Sequence, residues 1–186
     1  MNWDAIREDP YYRAREIEHR ARANGSADHW MDYAACKMKK GSYLLAIHGY
    51  MNAAHAYERN DAWDNAIECY DQAIGICKQV GYIEPMVLLT YRLSYIYEHC
   101  GDLDNCIAQY DRLGCFLEDI NTFLAADAYE HAAEIMLKSG KDISNYNKPI
   151  DAWKKNARYW EERGELDDAE WSEERILLYK KLVRLI

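Results

Sequence analysis

The sequence predicts an all-α fold: a right-handed solenoid of about four helical hairpins, closed by a capping helix at the C-terminal end. Small and large apolar residues alternate at helical spacing over residues 52–77, which lets two helices approach each other closely. The same pattern returns roughly 40 residues later, and no stretch shows the alternation expected of a β-strand. With 186 residues, of which 49% are apolar and 30% are charged, the chain suits one globular domain over residues 1–186.

Turn and capping residues divide the chain into nine predicted helices that are joined by short connections. Asp9 and Pro10 start the first helix, since proline is favoured at the first helical position. Gly41, Gly81 and Gly101 are each expected to end a helix, because glycine adopts the left-handed conformation of a C-terminal cap. The predicted helices lie at about 10–23, 27–40, 43–59, 62–79, 84–99, 103–117, 122–140, 149–163 and 166–186.

The repeated pattern is that of a tetratricopeptide (TPR) hairpin. Its first helix has the spacing W-x2-L-G-x2-Y, and its second helix has an A-x3-F step followed by a small residue. The residues at these positions in the first complete hairpin are Tyr50, Ala53, Ala54, Tyr57, Ala66, Tyr70 and Ala73. The pattern returns at residues 90–113, and again at residues 129–153 around a long loop at 141–147. A period of roughly 40, against the usual 34 or so, predicts helices longer than those of a standard TPR.

These longer hairpins, which are rich in AxAY and AI-x-x-Y steps, resemble those of the soluble NSF attachment proteins (SNAPs). The resemblance extends from Tyr11 to the eighth predicted helix. The SNAP family forms a twisted sheet of helical hairpins with a helical bundle at its C-terminal end, so the resemblance implies a fold of the same kind. The stretches that carry it are AAHAYERNDAWDNAIECYDQAIGICKQVG, LSYIYEHCGDLDNCIAQYD, AAEIMLKSGKD and KPIDAWKKNARYW.

The resemblance also implies a function. SNAPs grip the coiled-coil bundle of assembled SNARE proteins and recruit the hexameric ATPase that pulls the bundle apart. By this resemblance the chain is a non-enzymatic adaptor of vesicle transport and membrane fusion that binds a helical or coiled-coil partner. It would be cytoplasmic and would reach membranes only through that partner. Two alternatives stay open: a generic TPR module that binds a short peptide or a basic helix of another complex, and a self-assembling structural protein.

At three points the chain departs from the family. The resemblance ends before the family's C-terminal bundle and acidic tail, which leaves ATPase recruitment open. The start, MNWDAIREDPYY, lacks the apolar loop that the family inserts into membranes, so no direct membrane insertion is expected. Residues 41–140 carry 5 basic and 15 acidic side chains, whereas the family presents basic residues to acidic SNAREs. Arg59, Arg92 and Lys138 are among the few cations of this segment.

The candidate partner-binding surface is the concave face that the first helices of the hairpins line in a TPR stack. Side chains between the packing positions point outward on that face and mix apolar, aromatic and acidic groups. Such a surface suits an amphipathic helix with basic flanks, although Leu88 and Tyr91 could instead pack against a neighbouring hairpin. The predicted surface residues are His48, Met51, His55, Glu58, Leu88, Tyr91, Arg92, Tyr95, Glu98, Asp127, Glu130 and Glu134.

The residue patterns favour neither an enzyme nor a metal-binding or nucleic-acid-binding protein. No G-x-S-x-G, P-loop, G-x-G-x-x-G or H-E-x-x-H motif occurs in the sequence, so no catalytic residue and no cofactor is predicted. His48, His55 and His99 have no cysteine or acid at a recognisable zinc-ligand spacing. The net charge of −9 disfavours binding to nucleic acid. The six cysteines form no C-x-x-C pair and are expected to be free thiols in a reducing, cytosolic compartment.

The last predicted helix carries two apolar stripes. One stripe consists of Ala169, Ile176, Tyr179, Val183 and Ile186, and the other of Leu178, Leu182 and Leu185. A helix with this much apolar surface is not expected to face water on all sides. It either caps the stack of hairpins or pairs with a second copy of the chain to give a symmetric dimer.

Overall fold

The computed structural model describes residues 25–184, and this part of the chain contains eight α-helices and no β-strand. The prediction of an all-α fold made of helical hairpins is confirmed. The predicted helix at residues 10–23 lies outside the described residues. The helices are α1 (Ala27–Lys39), α2 (Tyr43–Glu58), α3 (Trp63–Val80), α4 (Ile83–His99), α5 (Leu103–Leu117), α6 (Thr122–Lys138), α7 (Lys148–Glu161) and α8 (Leu166–Arg184).

The helix ends follow the capping residues of the sequence. Gly81 ends α3 with a positive φ of 75°, a conformation that glycine adopts without steric cost. Asp102 caps the start of α5 by accepting a hydrogen bond from the backbone N–H of Asn105. Asn121 caps α6 in the same way, at 3.0 Å from the backbone nitrogen of Leu124. The order of the helices and their approximate bounds therefore agree with the sequence prediction.

The chain divides into two compact units, Met1–Ile96 and Tyr97–Ile186. The boundary falls near the end of α4, so the last residues of that helix belong to unit 2. The prediction of a single domain over residues 1–186 stays a prediction.

In unit 1, α1 packs on α2, and α2 packs on α3. Helices α1 and α2 approach closely at Gly49. A Cβ atom at this position would lie 2.9 Å from the Cβ of Ala34 and 2.9 Å from the Tyr33 ring, closer than carbon atoms can pack. Small residues at this crossing therefore allow the two helices to approach each other closely, as the repeat pattern predicts.

In unit 2, α5 packs on α6, α6 on α7, and α7 on α8. Gly114 of α5 lies against the Tyr129 ring. A Cβ atom on Gly114 would be only 2.6 Å from an atom of that ring. Tyr129 and Trp153 are the largest members of a buried cluster that also includes Ile176 of α8. Because α8 closes this cluster over α7, the capping role predicted for the last helix agrees with the structure.

The long connection between α6 and α7 is fixed to the core of unit 2. Ile143 is fully buried, beside Tyr179 of α8. The Tyr146 hydroxyl donates a hydrogen bond to Asp111, and the backbone oxygen of Tyr146 accepts one from the Tyr179 hydroxyl at 2.9 Å. The loop therefore packs as part of the unit, although its sequence interrupts the repeat.

All six cysteines are free thiols, as predicted. Cys69, Cys77 and Cys106 are buried, and burial raises the pKa of each thiol to about 11. A thiol with such a pKa is almost entirely protonated near neutral pH and is a poor nucleophile. These cysteines act as small apolar residues of the core.

Candidate partner-binding surface

The predicted surface residues of unit 1 lie on α2 and α4. On α2, Ala53 and Ala54 face the core, and the residues between the packing positions point outward. Leu88 on α4 is exposed over 67% of its surface, so it is not part of the core. The exposed members of the predicted set are His48, His55, Leu88, Arg92 and Tyr95, and the half-buried members are Met51, Glu58 and Tyr91.

Five side chains of unit 1 form a continuous chain of contacts, which we call the Glu58 cluster. His55 meets the Tyr70 ring edge-on, with 6.1 Å between the ring centroids. The Tyr70 hydroxyl donates a hydrogen bond of 2.6 Å to Glu58, which also pairs with Arg92. The Arg92 guanidinium in turn lies 5.0 Å from the centroid of the Tyr95 ring. The cluster joins α2, α3 and α4 and brings together four of the predicted surface residues.

The carboxylate of Glu58 is held in its charged form. Burial favours the neutral acid, but the hydrogen bonds from Arg92 and Tyr70 outweigh it, so the pKa of Glu58 is lowered. The same contacts act on the donors: burial and the bond to Glu58 raise the pKa of Tyr70, and the bond to Glu58 raises the pKa of Arg92. Both oxygens of Glu58 are engaged, because Arg92 approaches through Nε and through Nη2. The charge of Arg92 is therefore matched within the chain.

The predicted surface residues of unit 2 are mostly engaged by other residues of that unit. Glu98, near the end of α4, accepts a hydrogen bond of 2.8 Å from Lys138 on α6, and both side chains are exposed. Glu134 is exposed and lies 3.5 Å from the ring of His131. The His131 ring also stacks on Tyr110, with 5.3 Å between the centroids. Lys138, like Arg92, therefore has a carboxylate partner in its own unit.

The expectation that Glu130 points outward is wrong. Glu130 is buried, and its carboxylate accepts a hydrogen bond of 2.9 Å from the indole nitrogen of Trp153. It also pairs with Arg175, whose guanidinium lies 5.9 Å from the Trp153 ring centroid. The repeat pattern places Glu130 correctly on α6, but α8 covers this part of the helix and supplies the cation. Glu130 therefore stabilises unit 2 and is not part of an exposed surface.

Sequence reasoning missed the role of the Tyr70 hydroxyl. The repeat calls for a large aromatic residue at this position, and a phenylalanine would satisfy the packing equally well. The sequence contains 16 Tyr and only 2 Phe, together with an excess of acidic residues. A buried tyrosine hydroxyl needs a hydrogen-bond partner, so this composition was a usable signal for tyrosine–carboxylate contacts.

A second feature without a sequence signal is a groove of about 700 Å³ between the start of α6 and the end of α7. Its lining includes Glu118, Lys155, Arg158 and Trp160. Lys155 donates a hydrogen bond of 3.3 Å to Glu118, so part of the charge in the groove is already paired. The mixture of acidic, basic and aromatic side chains does not select one class of ligand.

The described part of the chain offers neither a metal site nor a membrane-spanning helix. Within residues 25–184, no group of three or more His, Cys, Asp or Glu side chains lies close enough to hold a metal ion. None of the eight helices is both long enough and apolar enough to cross a membrane. On α2 and α4, exposed apolar and aromatic side chains surround the ion pair of Glu58 and Arg92.

Comparison with known protein families decides the relationship of the chain. The family model described as "Soluble NSF attachment protein, SNAP" matches residues 13–185. The chain belongs to the SNAP family. The match includes α8, so it extends beyond the eighth predicted helix at which the resemblance in the sequence ended. Among curated proteins, none is similar enough to match this SNAP-family chain.

Several solved structures resemble the chain at low identity. BtubC (BKLC) from P. vanneervenii is 14% identical, with a TM-score of 0.32, and the match covers 99% of this chain and 93% of that one. A protein from Podosopora anserina, described as a kinesin light chain with nearly identical TPR-like repeats, is 13% identical, with a TM-score of 0.39. That match covers 97% of each chain. By its family and by its packed helical hairpins, the SNAP-family chain is a helical-repeat protein of a class that serves as scaffolds for protein interactions.

Proposed function

We propose that this SNAP-family chain is a non-enzymatic scaffold that binds an amphipathic helix of another protein on α2 and α4 of unit 1. The observation that carries the proposal is the apolar stripe of α4, which lies beside Arg92, an arginine already paired with Glu58. Leu88, Tyr91 and Tyr95 follow one another at helical spacing, and the first and last of them are exposed. Exposed aromatic and aliphatic side chains of this kind suit the apolar face of a partner helix.

Charge selects between partner helices. Arg92 is bound to Glu58, so the apolar stripe offers no unmatched cation to an acidic partner. Residues 41–140 carry 15 acidic and 5 basic side chains, which attracts a helix whose flanks are basic. The proposed partner is therefore a helix with an apolar stripe and flanking lysine or arginine residues.

The test uses two synthetic amphipathic helices with the same leucine stripe, one with lysine flanks and one with glutamate flanks. The full chain is expected to bind the lysine peptide more tightly, as measured by fluorescence anisotropy. Leu88→Glu should weaken this binding, because it removes apolar contact and introduces a charge. Leu166→Glu is the matched control, since Leu166 is exposed to the same extent but lies at the start of α8. Equal binding by Leu88→Glu and the control, or no binding of either peptide, would overturn the proposal.

A second candidate partner is the assembled SNARE coiled-coil bundle, which the SNAP family match supports. In this case the chain would act in vesicle transport and membrane fusion, in the cytoplasm, and would reach membranes through its partner. Retention of the chain on an immobilised SNARE bundle at low salt is the expected result. Failure to retain the wild-type chain would reject this candidate and leave the amphipathic helix as the proposed partner. Self-association through α8 is a separate candidate, since α8 belongs to unit 2 and the apolar stripe of α4 to unit 1.

A further inference from the structure

Helix α8 has one covered face and one open face. Its covered face packs into unit 2 and includes Ala169, Ser172, Ile176 and Tyr179, all of which are buried. On the opposite side, Leu177 and Leu178 are exposed over 57% and 55% of their surfaces. Two adjacent leucines this exposed form the centre of an apolar patch on the open face of α8.

The charges of the open face are arranged in order along the helix. Glu174 lies one turn before the two leucines, and Lys181 lies one turn after them; both are exposed. At about 1.5 Å per residue, these two charges are roughly 10 Å apart along the axis, too far for a hydrogen-bonded pair within the helix. Neither Glu174 nor Lys181 forms an ion pair with any residue of the described range 25–184. The open face thus has an acidic start, an apolar centre and a basic end.

We propose that two copies of the chain pair through α8, antiparallel, about a two-fold axis that passes between Leu177 and Leu178. In this arrangement Leu177 of one copy lies opposite Leu178 of the other, so the exposed leucines cover one another. Glu174 of each copy lies opposite Lys181 of the other, which forms the same ion pair twice. A parallel pair would instead place Glu174 against Glu174 and Lys181 against Lys181.

A second copy is favoured as the occupant because the open face is its own complement. An antiparallel partner that complements an acidic–apolar–basic stripe must have the same acidic–apolar–basic order along its own chain. A second copy of α8 has this order. Beside the stripe lies a groove of about 230 Å³, lined by Glu134 and Leu182 among others. This groove has room for an aliphatic side chain from the facing helix. The pairing uses unit 2 alone and does not depend on the partner proposed for α2 and α4.

The oligomeric state of the full chain tests the proposal. Sedimentation equilibrium between roughly 1 μM and 1 mM protein should show conversion from 21.8 kDa to twice that mass. Leu178→Glu should raise the dissociation constant on the order of 100-fold, because the symmetry places the change in the interface twice. Leu44→Glu, which changes a similarly exposed leucine of unit 1, should leave the constant unchanged. A monomer over the whole range, or an open-ended assembly, would overturn the proposal.

Charge reversal tests the antiparallel register. Glu174→Lys and Lys181→Glu should each weaken the dimer roughly tenfold at low salt, since each places like charges opposite one another twice. The double variant should recover the wild-type constant, because the ion pairs form again with their signs exchanged. A double variant as weak as the single ones would overturn the register. Circular dichroism of each variant checks the fold, which these exposed positions should not disturb.

Discussion

Two carboxylates with little exposure to water, Glu58 in unit 1 and Glu130 in unit 2, have similar surroundings at different positions in the repeat. Each side chain is 10% exposed, and each binds one aromatic donor and one arginine. The aromatic donor follows the acid by 12 residues in unit 1 and by 23 in unit 2, and the arginine follows by 34 and 45. Both intervals are longer in unit 2 by the same number of residues. The additional residues of unit 2 therefore lie between the carboxylate and its aromatic donor. The donors are Tyr70 and Arg92 in unit 1, and Trp153 and Arg175 in unit 2.

The two sites connect different parts of the molecule. Glu58 binds the first helix of the next hairpin, and its arginine remains on the outward side of α4 beside Tyr95. Glu130 binds the capping helix, and Arg175 lies over the rings of Trp153 and Trp171. One site therefore supports a surface, whereas the other closes the end of a core. The chemistry is the same because a buried carboxylate needs a cation and a further donor wherever it occurs.

The largest expected effect is the removal of an arginine. Arg175→Met should lower the free energy of unfolding by about 3 kcal/mol, because Glu130 is left buried with only a neutral indole donor. Arg92→Met should cost about 2 kcal/mol, because the Tyr70 hydroxyl stays bound to Glu58. Urea denaturation measures both values. Arg112→Met is the control: Arg112 is exposed, and the change should stay within about 0.5 kcal/mol. A larger loss for Arg92→Met than for Arg175→Met would contradict the comparison.

Removal of a hydroxyl should have a smaller effect. Tyr70→Phe deletes the bond to Glu58 and should cost about 1.5 kcal/mol, since the carboxylate is nearly inaccessible to water. Tyr129→Phe deletes a bond of the same length to Glu118, whose side chain is 37% exposed. Water can replace the lost donor there, so about 0.5 kcal/mol is expected. Thermal or urea unfolding of the two variants measures the difference, and equal losses would show that carboxylate burial does not set the value.

The pH dependence of Glu58 follows from its lowered pKa. Its contribution to stability is complete above its ordinary pKa of 4.5 and is lost as the pH falls through the lowered value in the folded chain. At pH 7, Glu58→Gln should be about 1 kcal/mol less stable than the wild type. The difference should shrink as the pH falls from 4.5 through the lowered pKa, because the wild-type carboxylate then becomes neutral in the folded chain as well. A difference that stays constant over this range, in urea titrations at each pH, would reject the assignment.

The smallest effect is expected at the exposed pair of Lys138 and Glu98. Both side chains are open to water, so Lys138→Met should change the free energy of unfolding by no more than about 0.5 kcal/mol. High salt should remove even this difference. A loss as large as that of Arg92→Met would show that exposure does not separate the two classes of ion pair.

The sequence predicted the helices because their ends are local signals. Gly81 and Asp102 stop and start helices through their own backbone and side-chain preferences, and no distant residue is needed to recognise them. The outward positions of α2 and α4 followed from helical periodicity for the same reason.

The surroundings of the two carboxylates could not be predicted in this way. Arg175 lies 45 residues after Glu130, in a helix outside the repeat, so no spacing rule connects them. Glu58 and Arg92 fall within successive hairpins, and both were assigned to the same face, but their mutual neutralisation depends on side-chain geometry. Of the open leucines of α8, Leu178 was recognised as part of an apolar stripe and Leu177 was not. The choice between covered and open stripes needed the packing of α7 against α8.

The tyrosine–carboxylate bonds have a spectroscopic consequence. Burial, and then the bonds to Glu58, Glu118 and Asp111, raise the pKa values of Tyr70, Tyr129 and Tyr146. These phenols should therefore stay protonated at pH values where exposed tyrosines have already ionised. Unfolding removes both effects, so their conversion to phenolate, which absorbs further into the near ultraviolet, should accompany the alkaline loss of the fold. The protein thus carries its own optical indicator of alkaline denaturation, without any added dye.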